Sequence, residues 1–376
     1  MNQKELSELK RRFRPDKSAI HRIYGCFVNE NREIVSYLDE SMGRMPEEEA
    51  GQYLGFLKKT LSGTLGRQLI DVVFTTGQAA QGEEHKLLSA LRDSALKDAQ
   101  ARETFYQKVI GSLELEGNYL ILLAHDAYDV PRRGKDGRSQ GESESVFSYI
   151  VCCVCPVRTR RAELGYFPGD NEFHSQGGQI VAPPELGFLF PAFDGRAANL
   201  YNALLYTRKA DELHQEFIDA VFHTEPPMSA AEQREAFHTA LSDALGAACT
   251  LEAVQAVHSG LLDRIVRHKE SGDPEPLEVT SGDAAAFLRD CGVEEARVEA
   301  FQARCRELLG ERVLNPANLI DPKRFQIKTQ SACLTVDPEQ SCLAEVREID
   351  GRKYLTVPVD GTLEVNGLGL GISRDG

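Results

Sequence analysis

Three clusters in this chain carry residue types that could do chemistry. The first is His125-Asp126-Ala127-Tyr128-Asp129-Val130-Pro131, which follows the apolar run Asn118–Ala124. Where a buried strand opens into a loop, side chains reach solvent from a fixed backbone, and binding and catalytic groups gather there. An imidazole beside two carboxylates could move protons or hold a metal. No second His or Cys group at ligand spacing joins them, and an Asp-rich turn closed by Pro131 accounts for the same residues without a ligand. The second cluster is Cys152-Cys153-Val154-Cys155-Pro156. Cys152 and Cys155 have the spacing of half a zinc site, but a closed site takes four ligands and no matching pair follows. On a strand, Cys153 and Cys155 share one face and Cys152 takes the other, as small buried core residues would. No metal and no cofactor is expected.

The third cluster lies in Gly187–Lys209, GFLFPAFDGRAANLYNALLYTRK. Phe188, Phe190 and Phe193 surround Pro191 and would anchor the segment in a core. Asp194, Arg196, Asn199, Tyr201 and Asn202 then offer a charged pair, amides and a phenol within a few residues. The binding surface is expected here, with His125, Asp126 and Asp129 as its neighbours. The structural alternative is an Asp194–Arg196 pair that only stabilises a turn. Catalytic residues cannot be assigned. There is no GxGxxG after a strand, no GxxxxGK[ST] and no HExxH, and no two His residues stand four apart.

The elements that must position these clusters can be read from periodicity. Glu5–Phe13 has helical spacing and a basic end, Lys10 to Arg14. Arg22–Val28 and Glu33–Leu38 flank a turn-rich Asn29-Glu30-Asn31 and read as a hairpin. Pro46–Leu61 opens with Pro and three Glu, a sound helix start. Leu65–Phe74 is helix or strand, and Glu83–Leu96 and Asp98–Leu113 are helices. Asn118–Ala124 and Val146–Val154 are the two central strands. Asp126–Glu144 and Gly165–Gly178, rich in Gly, Ser and charge, read as long loops. Asn199–Thr207 is a strand or a short helix.

From Asp211 the pattern turns helical: Asp211–Phe222, a helix capped by Ser229 through Leu245, another from Thr250 to about His268, then Asp283–Cys291 capped by Ser281, and Glu294–Leu309. Lys269–Pro276 reads as a linker. After Asn315-Pro316 short strands follow at Arg324–Lys328, Ala332–Val336, Cys342–Ile349, Lys353–Val357 and Thr362–Val365. Asp350-Gly351 is a strong hairpin turn, and the tail Gly367–Gly376 is expected to fray. The fold class is therefore α+β. It comprises an N-terminal domain (1–210) with a mixed sheet and flanking helices, a helical region (211–315), and a small antiparallel β-rich module (316–376).

At 376 residues with a net charge of 43 − 58 = −15, the chain is acidic. That disfavours a generally cationic nucleic-acid or anionic-membrane surface. No run reaches the length of a membrane span, and the first residues lack the apolar stretch of a secretory signal. Nine cysteines, several inside apolar runs, suit reduced thiols in a cytoplasm.

The segments GCFVN (25–29), KKTLSG (58–63), GNYLILLAHDAYDVP (117–131), VFSYIVCCVCPV (146–157), GFLFPAFDGRAANLYNALLYT (187–207) and DGRKYLTVP (350–358) resemble the uncharacterised bacterial family of unknown function DUF4317 over nearly the whole chain. The resemblance implies a cytosolic bacterial protein and supplies no activity or site residues. The element order of the C-terminal half, ending in DGTLEVNG (360–367), is similar to that of the nucleoid-associated protein family, which implies DNA association. The leading expectation is a non-enzymatic cytosolic binding or regulatory protein whose partner is another protein or a small molecule. One alternative is nucleic-acid association through Lys10–Arg14 and Arg132, Arg133, Lys135 and Arg138. The other is a hydrolase or transferase acting on a small or nucleotide-like substrate through His125, Asp126 and Asp129. The oligomeric state is open.

Overall fold

The structure, a computed structural model, describes residues 1–133, 139–310, 312, 314–359, 363–365 and 368–370. The chain divides into two compact units: Met1–Ala230 with Pro274–Pro276, and Ala231–Asp273 with Leu277–Gly376.

In the first unit the elements run α1 (Gln3–Lys10), β1 (Arg22–Val28), β2 (Ile34–Ser41), α2 (Glu47–Lys59), β3 (Leu69–Val73), α3 (Thr76–Gln81), α4 (Glu83–Asp93) and α5 (Ala99–Ser112). They continue with β4 (Asn118–Arg133), β5 (Ser139–Phe167), β6 (Glu172–Val181), β7 (Leu186–Phe190), β8 (Ala192–Asp194), β9 (Ala197–Asn199), β10 (Asn202–Thr207) and α6 (Gln215–Phe222). The large sheet has the order β2-β1-β4-β5-β7-β10-β3, with β6 also paired to β5. Every pairing between these strands is antiparallel.

Both sheet faces are covered, so the central strands are apolar on both sides rather than alternating wet and dry. On one face Ile121 and Leu123 of β4, Cys152 and Val154 of β5 and Phe188 and Phe190 of β7 meet Leu88 and Leu91 of α4, Phe105 and Val109 of α5, and Phe217 and Phe222 of α6. On the other, Leu122, Val151, Cys153, Cys155 and Leu189 meet Leu6 and Leu9 of α1 and Leu54 and Leu57 of α2. The three cysteines split between the faces as period two requires. Gly187 is where α2's end presses on the sheet: a Cβ there would lie 2.3 Å from the Cys152 carbonyl oxygen and 2.6 Å from Thr60 Cγ2.

The two expected long loops are instead strand. β4 runs on past His125 to Arg133, pairing Asp126 with Tyr149 and Val130 with Ser145. The reason is alternation: Tyr128 and Val130 turn inward while Ala127 and Asp129 stay exposed, which gives a ribbon with one wet face. Residues 134–138 of the expected loop lie outside the described residues. In Gly165–Gly178, β5 and β6 extend to Phe167 and from Glu172, leaving only a tight turn between them. Leu65–Phe74 resolves to β3, and Asn199–Thr207 to the end of β9 and all of β10.

The sequence leaves the first domain boundary open between residues near 210 and near 225, and α6 lies between them. α6 carries Phe217, Ile218, Val221 and Phe222, all buried against the sheet, with the Phe222 ring 5.2 Å from that of Phe188. Each such side chain contributes roughly 1.5–3 kcal/mol by leaving water, so α6 stays with the sheet.

The second unit contains α7 (Ala230–Leu245), α8 (Leu251–Ser271), α9 (Ser281–Asp290), α10 (Glu295–Leu309), α11 (Pro316–Leu319), β11 (Phe325–Lys328), β12 (Cys333–Val336), β13 (Glu345–Ile349), β14 (Arg352–Thr356), β15 (Leu363–Val365) and β16 (Leu368–Leu370). The expected helical region and β-rich module thus cluster as one unit. Thr250, the expected start of a helix, caps α8. The α9 cap is Thr280 rather than Ser281, because Asp283 reaches back to the Thr280 backbone N–H and completes a capping box. The strand expected over Cys342–Ile349 is a 3-10 turn (Pro338–Leu343) followed by β13, since Pro338 sits at a helix start, where its missing N–H costs nothing. Gln255 of α8 holds that turn, donating from Nε2 to the carbonyls of Ser341 (2.6 Å) and Ala344 (2.9 Å). Strands pair as hairpins β11–β12, β13–β14 across Asp350-Gly351, and β15–β16. β16 falls within the tail expected to fray, the rest of which lies outside the described residues apart from that strand.

Candidate functional site

The sequence candidates of the first unit separate into distinct places. Successive strand residues point to opposite faces, so His125 and Asp126 cannot share a site. His125 lies on the α4 side, where Nε2 is 2.8 Å from Ser148 Oγ. Burial pushes its pKa down, partly offset by Asp126. Asp129 is exposed. Asp126 points the other way, is 1% exposed, and accepts from Arg12 Nε (2.8 Å) and Nη2 (3.1 Å) and from the Tyr149 hydroxyl (2.8 Å). Arg12 lies 4.4 Å above the Tyr128 ring, whose hydroxyl donates to Glu8 Oε1 at 2.7 Å. Burial, and then Asp126, drive the Tyr149 hydroxyl far above its ordinary range.

Arg196 joins the same network from β8–β9. Gly195 and Arg196 both have positive φ, +57° and +61°, the geometry of a two-residue hairpin turn that glycine favours. The turn aims Arg196 Nη2 at Glu8 Oε1 (2.9 Å) and the Pro131 carbonyl (3.0 Å), while its N–H donates to Glu5 Oε1 (3.0 Å). Asp194 accepts from Asn199 Nδ2 at 3.2 Å and lies 3.7 Å from the Met1 amine. Asn199 Oδ1 accepts the Tyr201 N–H (3.1 Å). Tyr201 is exposed, and Asn202 begins β10 opposite Val73. Glu5, Glu8 and Arg12 form one stripe of α1 and the turn after it, so the whole constellation fastens that segment to the sheet. Its carboxylates are occupied, and Asp126 is out of reach of any ligand while α1 is seated. Of the basic residues considered for nucleic acid, Arg12 is thus turned inward, and Lys135 and Arg138 lie outside the described residues.

An open cleft occurs in the second unit instead, with a volume of about 340 Å³. Helical spacing builds two of its walls. On α7, Arg234, Phe237, His238 and Leu241 stand at i, i+3, i+4 and i+7. On α8, Val254, Val257 and His258 stand at i, i+3 and i+4. The third wall is Leu319 at the end of α11 with Ile320 and Asp321 after it, then Arg324 just before β11 and Phe325 at its start. Phe325 is buried and meets the His258 ring edge-on at 5.0 Å.

His258 is 7% exposed. Its Nε2 lies 3.2 Å from the Asp321 carbonyl, which can only accept, so Nε2 carries the proton and Nδ1 is a bare acceptor. That Nδ1 is buried and has no hydrogen-bond partner among the described residues. Burial lowers the His258 pKa, partly countered by that carbonyl. His238 stays exposed over much of its surface, yet burial of its inner side and then the Arg234 guanidinium push it down as well. Both imidazoles are held toward the neutral form. Arg234 donates from Nε to the Asn318 carbonyl at 3.1 Å. The cleft is an apolar trough with guanidinium and imidazole groups at its edge. The sequence signal for it was a polar residue, His238 or His258, inside an otherwise apolar helical stripe. It escapes a search for His pairs within one helix because the two stand on different helices.

Among the described residues no group of three or more His, Cys, Asp or Glu side chains is arranged to hold a metal ion, and no helix is long and apolar enough to cross a membrane. No curated protein matches the chain. A family model, domain of unknown function DUF4317, matches residues 1–368. The chain belongs to that family.

Proposed function

We propose that this protein is a non-enzymatic binding protein that takes a small molecule in the cleft between α7, α8 and β11. The observation that carries this reading is the cleft itself: about 340 Å³ of space, mostly apolar walls, and a few convergent polar groups. That is the usual make-up of a small-molecule site. The closed state of the Asp126 network and the separation of His125 from Asp126 favour binding over catalysis in the first unit. A cytoplasmic, bacterial setting belongs to the same proposal. Its cytoplasmic part is supported by nine cysteines that form no disulfide, four of them exposed, because exposed thiols persist in reducing compartments.

The test is a fluorescence titration with phenylnaphthylamine, an uncharged apolar dye. The wild-type chain should bind it, and Val254→Trp should abolish binding. Val254 lines the cleft yet is 39% exposed, so an indole there fills the trough without entering the core. Equal binding in the variant would overturn the proposal, as would a wild type that takes up neither this dye nor its sulfonated relative.

A further inference from the structure

The charges around the cleft narrow what it takes. Two guanidiniums line it, Arg234 and Arg324. Arg234 is steadied through Nε on the Asn318 carbonyl, which leaves its terminal nitrogens without a partner among the described residues. Arg324 is exposed and makes no hydrogen bond or ion pair among the described residues. Among the described residues the one lining carboxylate is Asp321, and its Oδ1 already accepts the Lys323 N–H at 2.9 Å. The cleft is therefore locally cationic in a chain whose net charge is −15. Arginine forks match planar or tetrahedral oxyanions, and behind them lie Phe237, Leu241, Val257 and Phe325.

We infer that the ligand is a small organic anion, with an oxyanion head held by Arg234 and Arg324 and an apolar body lying in the trough between α7 and α8. This rests on the reading of the cleft as a small-molecule site. A cation would meet two like charges here. A neutral apolar molecule would leave both guanidiniums as they are and gain nothing from them. An extended polyanion such as nucleic acid needs a broad basic face rather than an enclosed trough.

The experiment compares two dyes with the same ring system on the full chain: anilinonaphthalene sulfonate, which carries an anionic head, and phenylnaphthylamine, which does not. The sulfonate should bind at one site and at least about tenfold more tightly than the neutral dye, as one charge-assisted contact allows. Arg324→Gln and Arg234→Gln should each remove most of that advantage and leave the neutral dye's affinity unchanged. Arg324 is exposed, so its replacement preserves the fold even if that of Arg234 does not. Equal affinity for the two dyes, or no effect of Arg324→Gln on the sulfonate, overturns the inference while the cleft reading stands. If neither dye binds, or Val254→Trp leaves both unaffected, the cleft reading fails and takes the inference with it.

Discussion

Replacing Arg12 by Met should loosen α1 from the sheet, and the size of the effect follows from what the change strands. Asp126 is 1% exposed and Arg12 17%. The substitution removes contacts of 2.8 and 3.1 Å to the two carboxylate oxygens and the stack on Tyr128 at 4.4 Å. Among the described residues Asp126 would keep only the Tyr149 hydroxyl. Removing one member of a buried ion pair costs about 3–5 kcal/mol, because the other charge stays desolvated. The partial exposure of Arg12 places the expected loss near the lower end, about 3 kcal/mol. Adding Asp126→Asn should restore part of it: the amide oxygen still accepts from Tyr149, and no unpaired charge remains. A chain without Trp calls for urea unfolding followed by far-UV circular dichroism. Two compact units need not unfold together, so hydrogen exchange at the α1 amides should accompany it. A change below about 0.5 kcal/mol, within the range of an ordinary surface substitution, would refute the reasoning. So would additive effects in the double variant, since contacting charges couple.

The remaining expectations concern packing, thiols and pH. Gly187→Ala should destabilise the first unit by about 3 kcal/mol, the upper end of overpacking penalties, because the added methyl meets backbone at the Cys152 carbonyl; a wild-type unfolding midpoint would contradict this. A thiol reagent should modify four cysteines readily in the native protein, Cys249, Cys291, Cys333 and Cys342, and the buried five only on unfolding. Early reaction of Cys152 or Cys153 would contradict the packing at the sheet centre. His125, His214, His238 and His258 all have folded pKa values below the ordinary 6.5, with burial the leading cause in each. Below about pH 6.5 the unfolded chain therefore binds more protons than the folded one, and stability falls as pH drops. Urea midpoints at pH 7.5 and 5.5 check this, and an equal or higher midpoint at the lower pH would count against it.

Much of the fold was legible without coordinates. The β1–β2 hairpin, the Thr250-capped α8, the Asp350-Gly351 turn and the division of Cys152 from Cys153 and Cys155 follow from local rules, as periodicity and capping act over a few residues. The family was legible too, from segments spread over nearly the whole chain. What failed locally was the polar ribbon after His125. Its composition says loop, but pairing with β5 satisfies its backbone and decides for strand.

The sites needed tertiary structure. By itself the sequence determined that Arg12 stands in the basic end of a short helix, and it left His258 among scattered histidines. Nothing in the spacing of residues joins Arg12 to Asp126, which lies 114 positions away, or brings Arg234, His258 and Arg324 to the rim of one cleft. Local spacing sets the direction a side chain takes from its own element. Which element it then faces is set by burial of whole apolar faces, a sum over the entire unit, and only that packing decided where the carboxylates closed on themselves and where a cleft stayed open.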